Sequence, residues 1–280
     1  MNSPTIAAAE PPLALRMLMA ITRRIPPLPH ASVLSNRLVK PLWCRWHRDR
    51  YVLPVWDGIV MQVDPSDAIG GYLTFIPQLY DRWERQMIHD YLPPGGTFVD
   101  VGANIGAHSL WAARVGGAAA RVLAFEADPT NFAELTSNIA LNHLSNVRAF
   151  QVGVSDADAV LKLFRNRYGN AGGHTFVAAI HDDPAAVDVR CRPLRDLLAE
   201  TGTARVDLMK LDIEGFERRV LTRFFADVLP ASPLRPKHLL IELKFGAERE
   251  ALVELLAREG YVLVKQHGIN GLFSRPAEKA

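Results

Sequence analysis

The stretch Thr97-Phe98-Val99-Asp100-Val101-Gly102-Ala103-Asn104-Ile105-Gly106 constrains the fold more than any other part of the chain. Five residues of strand character run into a turn bracketed by two glycines, and the text then becomes helical at AHSLWAARV. A buried strand that turns on glycine into a helix opens a βα unit, and the helix carries the chain back to start a parallel strand. The pattern then recurs. Strands are expected at Arg121–Phe125, Val147–Val152, Val206–Leu211 and His238–Leu243. Helices are expected at Ala107–Val115, from Pro129 to Asn142, and at Pro193–Glu200, Phe216–Phe225 and Glu248–Glu259, with Tyr261–Lys265 and Leu272–Ser274 closing the sheet. Residues 160–164 and 174–191 read as extended, around the insertion Gly169-Asn170-Ala171-Gly172-Gly173. The fold class is α/β: a doubly wound, mainly parallel sheet with an N-terminal helical and β extension.

Pro93-Pro94-Gly95-Gly96 punctuates the chain ahead of that core,. It suggests a leader over residues 1–50, a cap over 51–96 and a core domain over 97–280. In the cap, residues 51–63 read as strands around Asp57-Gly58, and 79–92 as a helix with Leu79, Trp83, Met87, Ile88 and Tyr91 on one face,. The leader holds Arg16, Arg23, Arg24, Arg37, Lys40, Arg45, Arg48 and Arg50 against only Glu10 and Asp49. Such a basic arm can meet an anionic lipid surface, although a solvated leader has the same composition. Its apolar stretch from Leu13 to Ile21, closed by Pro26-Pro27-Leu28-Pro29, is shorter than the roughly 20 residues that cross a bilayer,. As an export signal it runs backwards, with Glu10 before the apolar part and arginines after it,. The expectation is a cytoplasmic protein in which residues 1–50 form a solvated leader, with a helix packed on the main domain or a peripheral contact to the inner membrane face as the alternatives. A formal net charge of +2 argues against a nucleic-acid coat, and Cys44 and Cys191 lack metal-ligand spacing,.

Ligands of open α/β sheets bind beyond the carboxyl ends of the strands, where this glycine turn sits. A dinucleotide turn needs glycine at its second position for the pyrophosphate, and Asn104 stands there,. Asp100 would repel a pyrophosphate but suits an ammonium or sulfonium. Glu126 ends the second strand, where a carboxylate can take both ribose hydroxyls,. Asp100, Gly102, Ala103, Asn104, Gly106 and Glu126 together describe a pocket for S-adenosylmethionine. Asp156, after the third strand, is a candidate for the adenine edge or a plain turn residue.

FVDVGANIGAHSLWAA, VLAFEADPTNFAELTSNIALN and VDLMKLDIEGFERRVL resemble the FkbM-type methyltransferases, a branch of the class I, Rossmann-like S-adenosylmethionine-dependent fold. The similarity runs from about Tyr51 to Ser274. It implies that Asp100, Gly102, Asn104 and Gly106 line the methionine half of the cofactor and that Glu126 binds its ribose. Members commonly have Glu-Pro where this chain has Glu126-Ala127, and a glutamate where Asp81 stands.

Lys210, Asp212 and Glu214 lie two apart, so strand geometry held through Glu214 would put all three on one face,. Asp212 is expected either to face the acceptor, orienting or deprotonating a hydroxyl, or to serve only as an ion-pair partner of Lys210. Glu214 and His174 are further catalytic candidates, the latter reaching the mouth from the insertion. Glu242 ends the strand Leu239-Leu240-Ile241 and can line the same crevice. His108 and His143 read as helical packing or surface groups. No metal is required, although Asp212, Glu214 and Glu242 could collect Mg²⁺.

These readings converge on an S-adenosylmethionine-dependent O-methyltransferase. The resemblance favours a hydroxyl on a sugar, glycolipid or secondary metabolite. A nucleotide-dependent oxidoreductase and a non-catalytic cofactor-fold binding module are the rivals.

Overall fold

The computed structural model describes residues 9–26, 37, 39–45, 49–165, 174–176, 186–244 and 246–276. The insertion Gly169 to Gly173, Arg48 and the prolines Pro27 and Pro29 lie outside the described residues, as do residues 177–185 of the extended reading over 174–191. Helix α1 (Leu13–Thr22) and the short α2 (Lys40–Cys44) precede a hairpin of β1 (Tyr51–Trp56) and β2 (Ile59–Val63). Helix α3 (Ala68–Phe75) starts at Asp67, whose carboxylate accepts from the Ile69 and Gly70 amides,. Helix α4 (Arg82–Tyr91) leads into the core. The core continues with β3 (Thr97–Val101), α5 (Ala107–Gly116), β4 (Arg121–Glu126), α6 (Pro129–Leu141) and β5 (Val147–Gln151). Next come β6 (Gly153–Ser155), β7 (Ala159–Leu163), β8 (Val187–Pro193), α7 (Leu194–Glu200), β9 (Leu208–Leu211) and α8 (Glu217–Asp227). Last are β10 (His238–Glu242), α9 (Ala247–Arg258), β11 (Val262–His267) and β12 (Asn270–Ser274).

The central sheet has the order β11-β12-β10-β9-β3-β4-β5. Strands β3, β4, β5, β9 and β10 run parallel, whereas β12 is antiparallel to both β10 and β11. After β3 the chain moves outward through β4 and β5, then returns to the other side of β3 to lay down β9. That reversal opens a crevice at the carboxyl ends of β3 and β9. A separate three-stranded sheet, β6-β8-β7, flanks it.

Residue parity decides what each face of the sheet holds. Val99, Val101, Met209, Leu211 and Ile241 pack towards α7, α8 and α9 in one buried cluster. Phe98, Leu208, Leu240 and Leu272 take the opposite face, against Met87 and Ile88 of α4 and Ala112 and Ala113 of α5. Two residues further along the second face, the same parity delivers Asp100, Lys210 and Glu242. Asn270 pairs in register with Glu242, as Leu272 does with Leu240. The face is thus apolar at one end of the strands and strongly polar at the other.

The hairpin packs on the core through Tyr51, Leu53 and Met61, which share a cluster with Ile105, Ala107 and Leu110. Its edge is closed by Asn138 of α6 and by Asn142 at the end of that helix: Asn138 accepts from the Gln62 amide at 2.7 Å, and Asn142 accepts from the Val60 amide at 2.9 Å. A strand edge so bonded offers no ladder to another chain.

Candidate functional site: two adjoining cavities

Gly102 has φ +82°, and a Cβ there would stand 2.0 Å from the Asp212 carbonyl oxygen. Only glycine lets the ends of β3 and β9 approach this closely. The amides of the turn are spent internally. Those of Gly102 and Ala103 both donate to the Phe125 carbonyl at 3.0 Å, and Gly106 donates to Ala103 at 2.9 Å. Asn104 donates to Glu126 Oε2 and Ile105 to Asn104 Oδ1, each at 2.7 Å. The turn therefore presents a fixed shape without a ring of free donors of the kind a pyrophosphate needs.

Glu126 is buried at the end of β4, and its second oxygen accepts from the Asp128 amide at 2.8 Å. Burial pushes its carboxyl up to about 7, against the pull of these two amides,. The crevice it floors is lined by Gly102, Ala103, Asn104, Phe125, Val152 and Phe176, with His174 at its side. Asp100 is placed differently from Gly102, Asn104 and Glu126. It is fully buried under the turn, where Ser109 Oγ donates to Oδ2 at 2.6 Å and Oδ1 has no hydrogen-bond partner. Its parity turns it towards α5 and Lys210, so it acts on the crevice through charge alone. Gly106 caps α5. Asp156 does not line this crevice: it pairs with Arg219 at 2.8 Å and accepts from Ser155 Oγ. His143 lies past the end of α6 with φ +52° rather than within a helix.

A second cavity of about 420 Å³ adjoins the first. Tyr80, Lys210 and Asp212 border both. Its walls carry five carboxylates: Asp81, Glu84, Asp212, Glu214 and Glu242. Lys210, 5% exposed, donates to Asp212 Oδ2 at 2.9 Å. Burial opposes its charge, yet Asp212, Asp100 and Asp81 hold the ammonium above its ordinary value. Strand β9 ends at Leu211, so period-two geometry does not carry to Glu214 as expected. Glu214 adopts φ +53° in the following turn and reaches the cavity that way, paired with Lys244 at 2.6 Å. Glu217 fixes this turn by accepting from the Ile213 amide at 2.9 Å and from Gly215 at 3.0 Å. His108, buried beside Asp81, is held neutral by burial, which lowers its pKa well below the ordinary value.

Glu242 is a strongly perturbed wall residue. Its Oε2 is buried without a hydrogen-bond partner. Burial, reinforced by Asp212 and Glu214, pushes its carboxyl from 4.5 up to about 8. Folding thus favours the protonated form, and ionisation costs stability progressively from pH 4.5 to about 8,. Glu242→Gln removes that cost. The variant should melt higher than the parent above pH 8, with the difference vanishing below about pH 4.5. A difference in melting temperature that ignores pH would take the charge out of the account. Asp212, Glu214 and Glu242 each offer one oxygen within 4.8 Å of the others, so this corner has the spacing for a metal ion. Tyr80, Asp81 and Glu84 enter from the cap. The sequence signal for them was weak, because α4 was legible but not the surface it faces.

The Methyltransferase FkbM domain family matches residues 100–263 of the chain. Methyltransferase sdnD of Sordaria araneosa is 35% identical over 158 residues, 46% of this chain and 61% of that protein. The 31-O-demethyl-FK506 methyltransferase FkbM of Streptomyces tacrolimicus is 32% identical over 204 residues, 62% of this chain and 76% of that protein. The chain therefore spans about three fifths of the first of these relatives and three quarters of the second. A solved structure, methyltransferase FkbM from Methylobacillus flagellatus KT, aligns at 17% identity and a TM-score of 0.46, covering 73% of this chain and 54% of that one.

Proposed function

The chain belongs to the FkbM methyltransferase family, and we propose that it transfers a methyl group from S-adenosylmethionine to a hydroxyl oxygen of an acceptor in the acidic cavity. The observation that carries this reading is the junction: Tyr80, Lys210 and Asp212 border both spaces, so a donor in one meets an acceptor in the other. The crevice suits such a donor. Glu126 spends one lone pair of each oxygen on a backbone amide, which aims the carboxylate and leaves acceptor capacity for a ribose diol,. Phe125, Val152 and Phe176 give an apolar slot for a base. Lys210 is balanced by Asp212 and Asp100, which keeps the junction open to a cationic ligand.

S-adenosylmethionine, when bound, supplies an electrophilic methyl group on a good leaving group. The protein's share is then mostly positioning, which can be worth up to about 7–11 kcal/mol when attacking and accepting atoms are aligned. Asp212, fixed by Lys210, holds the acceptor hydroxyl at the junction. Glu242 takes its proton, because a carboxylate with a pKa near 8 and a free oxygen is a far better base than an ordinary one,. The Streptomyces relative is by name a 31-O-demethyl-FK506 methyltransferase, which favours a hydroxyl acceptor here. A sugar, glycolipid or secondary metabolite fits a cavity rich in hydrogen-bond acceptors.

The dinucleotide alternative is weaker, because the amides from Gly102 to Gly106 are already bonded within the protein. Calorimetry should therefore register S-adenosylmethionine and not NAD. Enzyme, cofactor and cell extract mixed together should yield a compound heavier by one CH₂, and saturable cofactor binding without any such product would favour a binding module. Glu126→Ala should weaken cofactor binding by about 1–3 kcal/mol without unfolding the chain, since it strips a charged acceptor from the ribose. Unchanged affinity would move the ribose elsewhere.

A further inference from the structure

Helix α1 reads LALRMLMAIT, with one charged residue in ten. Its inward face is spent: Leu15, Met19 and Thr22 are buried, and the two apolar residues share a cluster with Leu53, Ile69 and Leu73. Arg23 ties the helix end to the cap by donating to the carbonyls of Thr74, Leu73 and Pro54. The outward face of a helix docked in this way is normally polar. Here it is not. Leu13, Met17 and Ile21 recur at intervals of four, so they share one face, and they are 70%, 60% and 65% exposed,. Arg16 and Arg24 are exposed on the same helix and its exit. Among the described residues neither is paired with a carboxylate. Leu42 of α2 is also exposed.

We propose that the outward face of α1 is a docking surface for an anionic phospholipid membrane, on which the enzyme lies peripherally. An apolar stripe beside unpaired arginines matches the two layers of a bilayer surface, acyl chains below and phosphates above. A nucleic acid would use the arginines but has no place for three exposed aliphatic side chains. A second copy of the chain would cover the stripe but would leave like charges facing each other. The span is right for lying on the surface and wrong for crossing it: no helix among the described residues is long and apolar enough to cross a membrane. This surface lies on the leader helix docked against the cap, and its assignment stands apart from the methyl-transfer reading.

The test is co-sedimentation of the full chain with vesicles of phosphatidylcholine alone and of phosphatidylcholine with phosphatidylglycerol. Binding is expected to the anionic vesicles only and should fade with added salt. Arg16→Gln with Arg24→Gln should lower the partition roughly 5-fold per arginine removed. Leu13→Gln, Met17→Gln and Ile21→Gln combined should lower it at least about tenfold, since the inserted apolar area is lost. All these side chains are exposed, so melting temperature and cofactor affinity should stay at parental values. Parental protein that ignores anionic vesicles would overturn the proposal. So would a triple variant that sediments like the parent, or a parental dimer by light scattering that the triple variant converts to monomer. Binding to duplex DNA that survives the triple variant while vesicle binding is absent would reassign the surface to nucleic acid.

Discussion

Gly102→Ala should abolish cofactor binding and destabilise the fold together. The new methyl group would sit 2.0 Å from the Asp212 carbonyl oxygen and 3.3 Å from Ile213 Cγ2, and the first of these neighbours is backbone that cannot swing away. The residue would also have to hold φ +82°. The conformation costs a non-glycine residue about 1–2 kcal/mol, and forcing a methyl into filled space costs about 1–3 kcal/mol more. Relief requires β3 and β9 to part at their carboxyl ends. That breaks the hydrogen bond that the Asp212 N–H donates to the Val101 carbonyl at 3.1 Å and carries the glycine turn away from Phe125. Cofactor affinity should accordingly fall by more than the loss of stability accounts for. Gly202→Ala is the control: φ is +65° there, but nothing lies within 4 Å of the added atom, so only the conformational cost applies. If the Gly102 variant binds cofactor like the parent, the contact between the two strand ends is not what shapes the site.

Most of the core was legible because its signals are local. Val122 to Phe125 and Leu239 to Ile241 are continuous apolar runs, as strands covered on both faces must be, Phe98 to Val101 is broken only by Asp100, and Asp128-Pro129 announces α6 with a capping side chain and a fixed φ,. Helix α3 was not read at all. Its Gly70-Gly71 pair argues against a helix by propensity, yet a Cβ at Gly70 would lie 1.9 Å from the Asp64 carbonyl oxygen, so close packing demands the glycine there,. The direction of β12 was equally hidden, since periodicity reports burial and not polarity of the chain. Within the site, Glu126 could be found because a carboxylate ending a strand beside a glycine turn has few other uses. Asp100 shows the limit of that reasoning. It shares the parity of Phe98, which turns it towards Ser109 and away from the crevice surface. The acidic cavity was legible in part: Asp212, Glu214 and Glu242 end neighbouring strands and were expected in one crevice, whereas Asp81 and Glu84 come from the cap. Only tertiary packing brings their charges together.

Asp212→Asn should cut turnover by about 10²-fold or more while cofactor affinity changes little. The substitution keeps the volume and a hydrogen-bonding oxygen for Lys210 but removes the charge that fixes an acceptor hydroxyl at the junction. Lys210 keeps Asp100 and Asp81 as counter-charges, so the buried ammonium is not stranded and the fold should hold. Were Asp212 only the lysine's structural partner, the variant would melt lower and the folded fraction would turn over normally. The pH profile separates Asp212 from Glu242. A base whose carboxyl is pushed up to about 8 must be ionised to act, so kcat/KM of the parent should fall on the acid side of that value,. The Asp212 variant should keep this acid limb at a reduced plateau and displaced downward, because one of the carboxylates that raise the Glu242 value has gone. Glu242→Gln should lose the limb altogether along with most of the rate. If instead the limb survives in Glu242→Gln and disappears in Asp212→Asn, the two roles exchange, and Asp212 becomes the group that takes the proton.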